Sequence, residues 1–251
     1  MSKNKIRLYC DINLRELFEA EKECALAKEQ FHYLIDVMRC KVGDKLNLLD
    51  GKTGEYECKI AFISRKEIRI RILHFLKSLA SPVDLWLLFA PIKKGKTELI
   101  IEKCVELGVK RIMPVLTDFT NVPKINRRRF KSIMISSAQQ CGSTWLPDLE
   151  DVQDLTQVLS SWNSKRLLIF CDEKLDGNHI NTVLHSLGSR PMAILIGPEG
   201  GFSRTESELL ISSEFVRRVS LGPQILRAET AVIASVSIWQ SICGFWPKTL
   251  S

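Results

Sequence analysis

The sequence of 251 residues lacks the cysteine pattern of a disulfide framework or a structural metal site. Its eight cysteines are widely scattered, with no CxxC pair and no companion cluster of histidines. A structural zinc ion requires closely spaced cysteine or histidine ligands, so we expect no metal site. The pattern is typical of reduced, mostly buried thiols in a cytoplasmic protein.

Long apolar segments are also lacking. No run approaches the roughly 18 apolar residues of a membrane span. The N-terminal stretch MSKNKIRLYC has no apolar core of a signal peptide. We therefore expect a cytoplasmic protein with no membrane partner, long enough for one large or two modest domains.

Two common nucleotide-binding motifs are absent as well. There is no GxxxxGK[ST] sequence, which excludes a P-loop. There is also no GxGxxG sequence with an acidic residue about 20 positions later, since that count from Gly197 falls on Arg217 and Arg218. A dinucleotide-dependent oxidoreductase is therefore poorly supported.

Positive charge is present, and it is concentrated in one segment. The net charge is +7, and the segment 93–131 has 11 Lys or Arg residues against 4 Asp or Glu residues. The rest of the chain has 25 residues of each sign. Such a surplus suits a polyanion partner such as nucleic acid, because neutralised phosphates release counterions. The alternative is a solvated helix face.

Hydrophobic patterning divides the chain into two predicted domains. In residues 1–75, KEIRIRIL alternates charged and apolar residues, and two strands flank the turn DGKTG, so we predict a small β-barrel with one short helical insertion. In residues 80–251, continuous apolar runs such as VDLWLLFAPI and MAILIG alternate with helical segments. That rhythm predicts a mostly parallel α/β sheet with helices on both faces.

Two glycine-bearing loops follow the last two predicted strands, IGPEGGFS (196–203) and LGPQILRAETA (221–231). Ligands bind beyond the carboxyl ends of parallel strands, so we expect both loops to border one pocket, unless they are ordinary tight turns. Glu199 disfavours a pyrophosphate and tolerates a neutral or cationic group. S-adenosylmethionine, with its sulfonium and amino-acid tail, satisfies this preference; alternatively, Glu199 bonds only a turn amide.

These two loops closely resemble the C-terminal signatures of the RsmE-type methyltransferases of the SPOUT class. HYLIDVMRCKVGD (32–44), IEKCVELGVKRIMPV (101–115) and AQQCGSTWLP (138–147) also resemble blocks of that family. The resemblance implies an S-adenosylmethionine-dependent enzyme that methylates N3 of a uridine in 16S ribosomal RNA, free or within the small ribosomal subunit. It further implies a PUA-like N-terminal barrel, a C-terminal α/β domain with a trefoil knot, and a homodimer.

The resemblance also implies site residues. Those expected at the cofactor are Ile196, Gly197, Pro198, Glu199, Gly201, Leu221, Gly222, Ile225 and Leu226. The tip of the preceding strand, Cys171 and Asp172, is a further candidate contact. Those expected to hold RNA phosphates are Arg39, Lys41, Lys93, Lys94, Lys124, Arg127, Arg128 and Arg129.

Three residues at the start of the last predicted helix are the catalytic candidates. Uridine N3 must lose a proton before it can attack a methyl group, so its negative charge needs stabilisation. Arg227 suits that role, Glu229 is a candidate base or a residue that orients Arg227, and Thr230 could bond the substrate or cap the helix. A structural Arg–Glu pair is the competing interpretation.

Four positions depart from the family pattern. They are Phe119, Ser143, Gln224 and Ala228, of which the first three stand where arginine is common. These losses are the basis of a second hypothesis, a non-enzymatic assembly factor that binds ribosomal RNA and retains the fold. The intact GPEGG and ILRAET sequences argue against it.

Overall fold

The computed structural model describes residues 6–80, 82–172, 177–188 and 190–246, without the side chain of Lys94. The chain divides into two units. One consists of Met1–Ser81 and Ile135–Leu146, and the other of Pro82–Met134 and Pro147–Ser251. The segment 135–146, which the sequence pattern assigned to the second domain, thus groups with the N-terminal unit.

The N-terminal unit contains one five-stranded sheet. Its strands are β1 (Arg7–Tyr9), β2 (Glu23–Ala25), β3 (Lys45–Leu49), β4 (Gly54–Ile63) and β5 (Ile68–Ser78). Their spatial order is β1-β3-β4-β5-β2, and all pairs are antiparallel except β1 with β3. The helical pieces are α1 (Leu14–Glu19), α2 (Lys28–His32) and a π-helical turn (Tyr33–Val37).

The alternation in KEIRIRIL produces the expected half-buried strand. In β5, Ile68 and Ile70 are fully buried, whereas Arg69 and Arg71 are exposed. The isoleucines pack in a core with Leu34 of the π-helical turn and side chains of β3 and β4. The predicted strands on either side of DGKTG are confirmed as β3 and β4.

The second unit is an α/β structure. Its strands are β6 (Leu85–Phe89), β7 (Arg111–Leu116), β8 (Asp148–Leu149), β9 (Gln153–Asp154), β10 (Leu167–Cys171), β11 (Asn178–His179), β12 (Met192–Ile196) and β13 (Val216–Ser220). Its helices are α3 (Lys94–Glu106), α5 (Leu155–Ser160), α6 (Ile180–Leu187), α7 (Arg204–Ser212) and α8 (Ala228–Ile242). Helix α4 (Arg127–Cys141) begins in this unit, and its residues from Ile135 onward belong to the N-terminal unit. The strand pairs among the described residues are parallel, which confirms the predicted α/β class.

Gly108 follows the C-terminal end of α3. Its φ of +74° is in the left-handed region that a residue following a helix often adopts. The amides of Gly108 and Val109 bond back to the carbonyls of Val105 and Cys104, at 3.2 and 2.9 Å. The chain can therefore turn at once into β7, beside β6.

Strand order, rather than chain order, positions the site. The main path of the sheet is β11-β13-β10-β12-β6-β7-β8. Strand β12 lies between β6 and β10, although it follows both in the chain, and β13 lies on the other side of β10. The carboxyl ends of β10, β12 and β13 are consequently neighbours at one edge. Among the described helices, none has the length and apolar character needed to cross a membrane.

Candidate active site

A cavity of about 340 Å³ lies at the carboxyl ends of β10, β12 and β13. We call it the cofactor cleft, after the ligand predicted for its loops. It is lined by Cys171, Asp172, Ile196, Gly197, Pro198, Glu199, Gly200, Gly201, Leu221, Gln224, Ile225, Leu226, Arg227, Ala228 and Ala231. The parallel strands thus bring together the two loops that the sequence analysis paired.

The first loop is a tight turn built on glycine. The amide of Gly201 donates to the carbonyl of Pro198 at 3.0 Å, and Gly201 has a φ of +70°. A Cβ at Gly197 would lie 2.5 Å from the ring of Phe202, so a larger residue there would displace that buried ring. Glycine at 197 therefore leaves room for the Phe202 ring, and glycine at 201 permits the left-handed conformation of the turn.

A capping box fixes the exit from this loop. The Ser203 hydroxyl accepts the amide of Glu206 at 3.3 Å, and the Glu206 carboxylate accepts the amide of Ser203 at 2.9 Å. The second oxygen of Glu206 accepts the amide of Asp118 at 3.0 Å. Glu206 is buried, and it joins the start of α7 to the loop that follows β7.

Glu199 does not brace the turn that contains it. Its side chain is exposed and lines the cofactor cleft. Within the described part of the chain, its carboxylate accepts no hydrogen bond and forms no ion pair. The alternative in which Glu199 bonds a turn amide is therefore wrong, and a full negative charge borders the cleft.

The second loop contributes apolar walls. Leu221, Ile225 and Leu226 all line the cleft, and Ile225 is 76% exposed. Gly222 does not line it, contrary to the sequence expectation. Its φ of +132° serves the turn, and its amide and carbonyl both bond the Ser220 hydroxyl, at 3.2 and 3.1 Å.

The carboxyl end of β10 lines the cofactor cleft with Cys171 and Asp172. Asp172 is buried and pairs with Arg218 on the neighbouring strand β13. Burial raises the pKa of Cys171 to about 12, against a smaller opposite effect of a hydrogen bond with Ser235. Cys171 is therefore a neutral thiol at physiological pH, unsuited to act as a nucleophile.

Of the three catalytic candidates, Arg227 lines the cleft and the other two do not. Arg227 is the extended N-cap residue of α8, and its exposed guanidinium forms no ion pair with the described residues. Glu229 pairs instead with Lys96 of α3, at 3.4 Å between Oε1 and Nζ, and its Oε2 is buried without a hydrogen-bond partner there. Thr230 is exposed on the first turn of α8. The competing Arg227–Glu229 pair is therefore wrong.

The residues expected to hold RNA are spread over both units. Arg39 and Lys41 are exposed after the π-helical turn, where Arg39 has a φ of +54°. Lys93 and Lys124 are exposed in loops of the second unit. The side chain of Lys94 lies outside what the structure describes.

The three arginines at the start of α4 differ in their partners. Arg127 bonds the Asp151 carboxylate at 2.6 Å, and Arg129 bonds Glu98 at 3.1 and 3.2 Å. Arg128 is exposed and pairs with no acid in the described part of the chain. Two of these cations are thus partly neutralised within the protein.

The sequence analysis missed some of the cleft. Gly200, Gln224, Ala228 and Ala231 line it without having been assigned to it. Ala231 is four positions after Arg227, so helical spacing from Arg227 could have found it. No sequence signal pointed to Lys96 as the partner of Glu229. The described residues contain no group of three His, Cys, Asp or Glu side chains that could hold a metal ion.

Comparison with known families matches both units. The RNA methyltransferase domain family matches residues 79–240, about two thirds of the chain. The RNA methyltransferase PUA domain family matches residues 26–73. The first range contains all the described strands of the α/β sheet, and the second contains part of the N-terminal sheet.

Relatives and solved structures match nearly end to end. Ribosomal RNA small subunit methyltransferase E of Rickettsia conorii is 31% identical, over 92% of this chain and 93% of its own length. The enzyme of the same name from Buchnera aphidicola of Schizaphis graminum is 30% identical, over 96% and 97%.

A structure from Legionella pneumophila, described as a methyltransferase in complex with S-adenosylmethionine, has a TM-score of 0.83 and 28% identity, and covers 95% of this chain and 98% of its own. The Neisseria gonorrhoeae ribosomal RNA small subunit methyltransferase E has the same TM-score at 24% identity, over 97% and 100%, which shows the shared fold. With its two glycine loops around one cleft, the chain belongs to the ribosomal RNA small subunit methyltransferase E family.

Proposed function

We propose that this protein transfers the methyl group of S-adenosylmethionine to N3 of a uridine in 16S ribosomal RNA. One observation carries the proposal. The two glycine loops and the guanidinium of Arg227, which forms no ion pair with the residues that the structure describes, border the same cleft. A cofactor bound between the loops would therefore meet its substrate beside a fixed positive charge.

The cleft has the composition that S-adenosylmethionine requires. Its volume of about 340 Å³ is within the range of small-molecule sites. Leu221, Ile225 and Leu226 offer apolar surface to an adenine ring. The free carboxylate of Glu199 attracts a cationic sulfonium or amino group and repels a phosphate.

The chain's own residues would act on the uridine. When bound, the cofactor supplies a methyl group on a positively charged sulfur. The new bond joins this methyl carbon to N3, the carbon–sulfur bond breaks, and the N3 proton leaves to solvent or to a base. The guanidinium of Arg227 would stabilise the negative charge that deprotonation places on O2 and O4.

Glu229 and Thr230 receive different roles in this proposal. Glu229 does not line the cleft, and Lys96 holds one of its oxygens, so we assign it the positioning of Lys96 and of the first turn of α8. Thr230 is exposed on that same turn, where its hydroxyl could bond the ribose or base of the uridine. We assign no side chain as the base, and in this proposal solvent accepts the N3 proton.

We further propose that the N-terminal sheet is a closed PUA-like barrel that binds RNA, within a domain of residues 1–75, and that residues 80–251 form the catalytic domain. The match of residues 26–73 to an RNA methyltransferase PUA domain supports this role. Phosphate contacts would come from the exposed cations Arg39, Lys41, Lys93, Lys124 and Arg128.

The strand order supports a knot. Strand β12 lies between β6 and β10, and β13 lies beyond β10. A chain that inserts a late strand between two earlier ones in this way can pass through an earlier loop. We propose that it forms the trefoil knot of the SPOUT class. We also propose a homodimer in the cytoplasm, where ribosomal RNA resides, as the resemblance to the SPOUT class implies.

The experiment is a methyl-transfer assay on small ribosomal subunits that lack the modification, with nuclease digestion and mass spectrometry of the nucleosides. Arg227→Ala should lower turnover by about 100- to 1,000-fold, the effect of removing one donor to a developing oxyanion. Its affinity for S-adenosylmethionine, measured by calorimetry, should stay near that of the wild type.

Arg204→Ala is the matched control, because Arg204 is exposed on α7, pairs with Glu208 and does not line the cleft. Normal turnover of Arg227→Ala would refute the role of its guanidinium. Binding of cofactor without any methyl transfer by the wild type would favour the assembly-factor hypothesis instead.

A further inference from the structure

The second unit contains another cavity, of about 330 Å³, which we call the side cavity. It shares no lining residue with the cofactor cleft among the described residues. Its walls are Pro91, Ile92, Thr97, Glu98, Val122, Lys124, Ile125, Asn126, Arg129 and Phe130. None of the roles assigned to the cleft explains a cavity here.

The side cavity lies beside the catalytic end of the sheet. Pro91 and Ile92 follow β6, which pairs with β12, and the cleft loop follows β12. The loop after β7 carries Val122, and earlier along it Phe119 approaches this same glycine loop: a Cβ at Gly200 would lie 3.3 Å from the Cβ of Phe119. A ligand in the side cavity would therefore be a neighbour of one in the cleft.

The walls of the side cavity are mostly apolar. Ile92 and Phe130 are buried, and Val122 and Ile125 are half-buried. The Thr97 hydroxyl is committed to the backbone of Ile92, donating to its carbonyl at 2.8 Å and accepting its amide at 3.0 Å. Because Ile92 and Phe130 are 1% and 5% exposed, the accessible apolar surface of the interior comes mainly from Val122 and Ile125, with no free hydroxyl from Thr97.

The rim of the side cavity is polar and positive. The Oδ1 atom of Asn126 accepts the amide of Arg129 at 2.9 Å and caps α4, which leaves its amide group as a donor. Lys124 is exposed with no acidic partner in the described part of the chain. Glu98, paired with Arg129, would repel a phosphate placed inside. An apolar ring with carbonyl groups fits the interior, and a phosphate fits only the rim.

We infer that the side cavity takes an unstacked base of the substrate RNA, from a nucleotide beside the target uridine. The base would pack on Val122 and Ile125, beside the accessible edge of Phe130, with a carbonyl on the Asn126 amide and the adjoining phosphate near Lys124. Unstacked bases held by aromatic and amide groups are the usual basis of single-strand RNA recognition. The inference rests on the proposed function for the identity of the substrate.

The first test measures binding by fluorescence anisotropy, with a single-stranded oligouridylate and with an abasic ribose-phosphate oligomer of equal length. The wild type should bind the oligouridylate about tenfold or more tightly, the scale of one base-stacking contact. Val122→Trp, which fills the side cavity, should lose that preference. Asn121→Trp places the same ring on an exposed neighbour that does not line the cavity, and should keep it.

The second test leaves the volume unchanged. Asn126→Asp retains a good helix cap but replaces the amide donor by an acceptor. It should weaken oligouridylate binding more than Asn121→Asp, which adds the same charge to the same loop. Calorimetry with S-adenosylmethionine should show unchanged affinity in all four variants, which establishes that they are folded.

The outcomes separate this inference from the proposed function. Equal affinity of the wild type for the two oligomers would overturn the role of the side cavity. Equal oligouridylate binding by Val122→Trp and Asn121→Trp, or by Asn126→Asp and Asn121→Asp, would overturn it as well. None of these measurements depends on methyl transfer. A wild type that prefers the oligouridylate but never methylates ribosomal subunits would leave the side cavity intact and refute the proposed function.

Discussion

Two turns in this protein have an acidic residue among glycines, and the acid does opposite things in them. In DGKTG, between β3 and β4, Asp50 is 1% exposed and accepts five hydrogen bonds, from Leu14, Lys52, Thr53 and Gly54. In PEGG, after β12, Glu199 is exposed and accepts none from the described residues. The first acid completes its own turn, and the second is left available to a ligand.

The difference has a physical cause. The short aspartate side chain can reach the amides of its own turn, and this local satisfaction permits burial. Burial acts to raise the pKa of Asp50, but the hydrogen bonds from Thr53, Lys52 and Leu14 outweigh it and hold the pKa below its ordinary value. An acid among glycines therefore indicates function only when its turn does not use it.

The largest expected effect is on the buried acid. Asp50→Ala leaves several buried amides without an acceptor, so the free energy of unfolding should fall by about 3 kcal/mol. Glu199→Ala should change it by no more than about 0.5 kcal/mol, as is usual for exposed positions. Urea denaturation followed by circular dichroism measures both, and equal losses would show that the two turns do not differ in this way.

A smaller effect should appear in the dependence of stability on pH. Because the folded pKa of Asp50 is depressed, its contribution is fully present above the ordinary aspartate pKa of about 3.9 and is lost as pH falls through the folded pKa. In Asp50→Asn, the free energy of unfolding should therefore fall less steeply with decreasing pH below about 3.9 than it does in the wild type. Glu199→Gln is the comparison, and a wild-type acid profile in Asp50→Asn would contradict the assignment.

The smallest effect is on the ligand. Glu199→Gln removes a charge beside the cleft. The binding free energy of S-adenosylmethionine should become less favourable by about 1 kcal/mol, roughly fivefold in Kd, without loss of folding stability. Glu208→Gln, at an exposed position of α7 that does not line the cleft, should bind normally. Calorimetry at low salt decides, and tighter binding by Glu199→Gln would sink the argument that the cleft prefers a cation.

The sequence was sufficient for the local parts of the site. The strand-forming runs and the two glycine loops depend on residues near one another in the chain, and both are present as expected. Most of the residues assigned to the cofactor do line the cleft, whereas Gly222 serves its own turn. The motif could not separate these cases, because Gly222 lies in the same loop as Leu221, Ile225 and Leu226, which do line the cleft.

Contacts between distant parts of the chain were beyond the sequence. Lys96 and Glu229 are 133 positions apart, and nothing in RAET distinguishes a partner on α3 from the adjacent Arg227. The side cavity likewise combines the loop after β6 with the start of α4. Such pairs follow from how helices pack on the sheet, which hydrophobic periodicity does not specify.

The sequence by itself determined the alternation of strands and helices, the two cofactor loops and the family to which they belong, because these are written in local patterns. The tertiary structure alone decided that β12 lies between β6 and β10, so that three strand ends surround one cleft. It also decided that Asp50 is satisfied by its own turn, whereas Glu199 accepts no hydrogen bond from the described residues. The order of the strands depends on parallel pairing between segments far apart in the chain, and only the folded sheet fixes it.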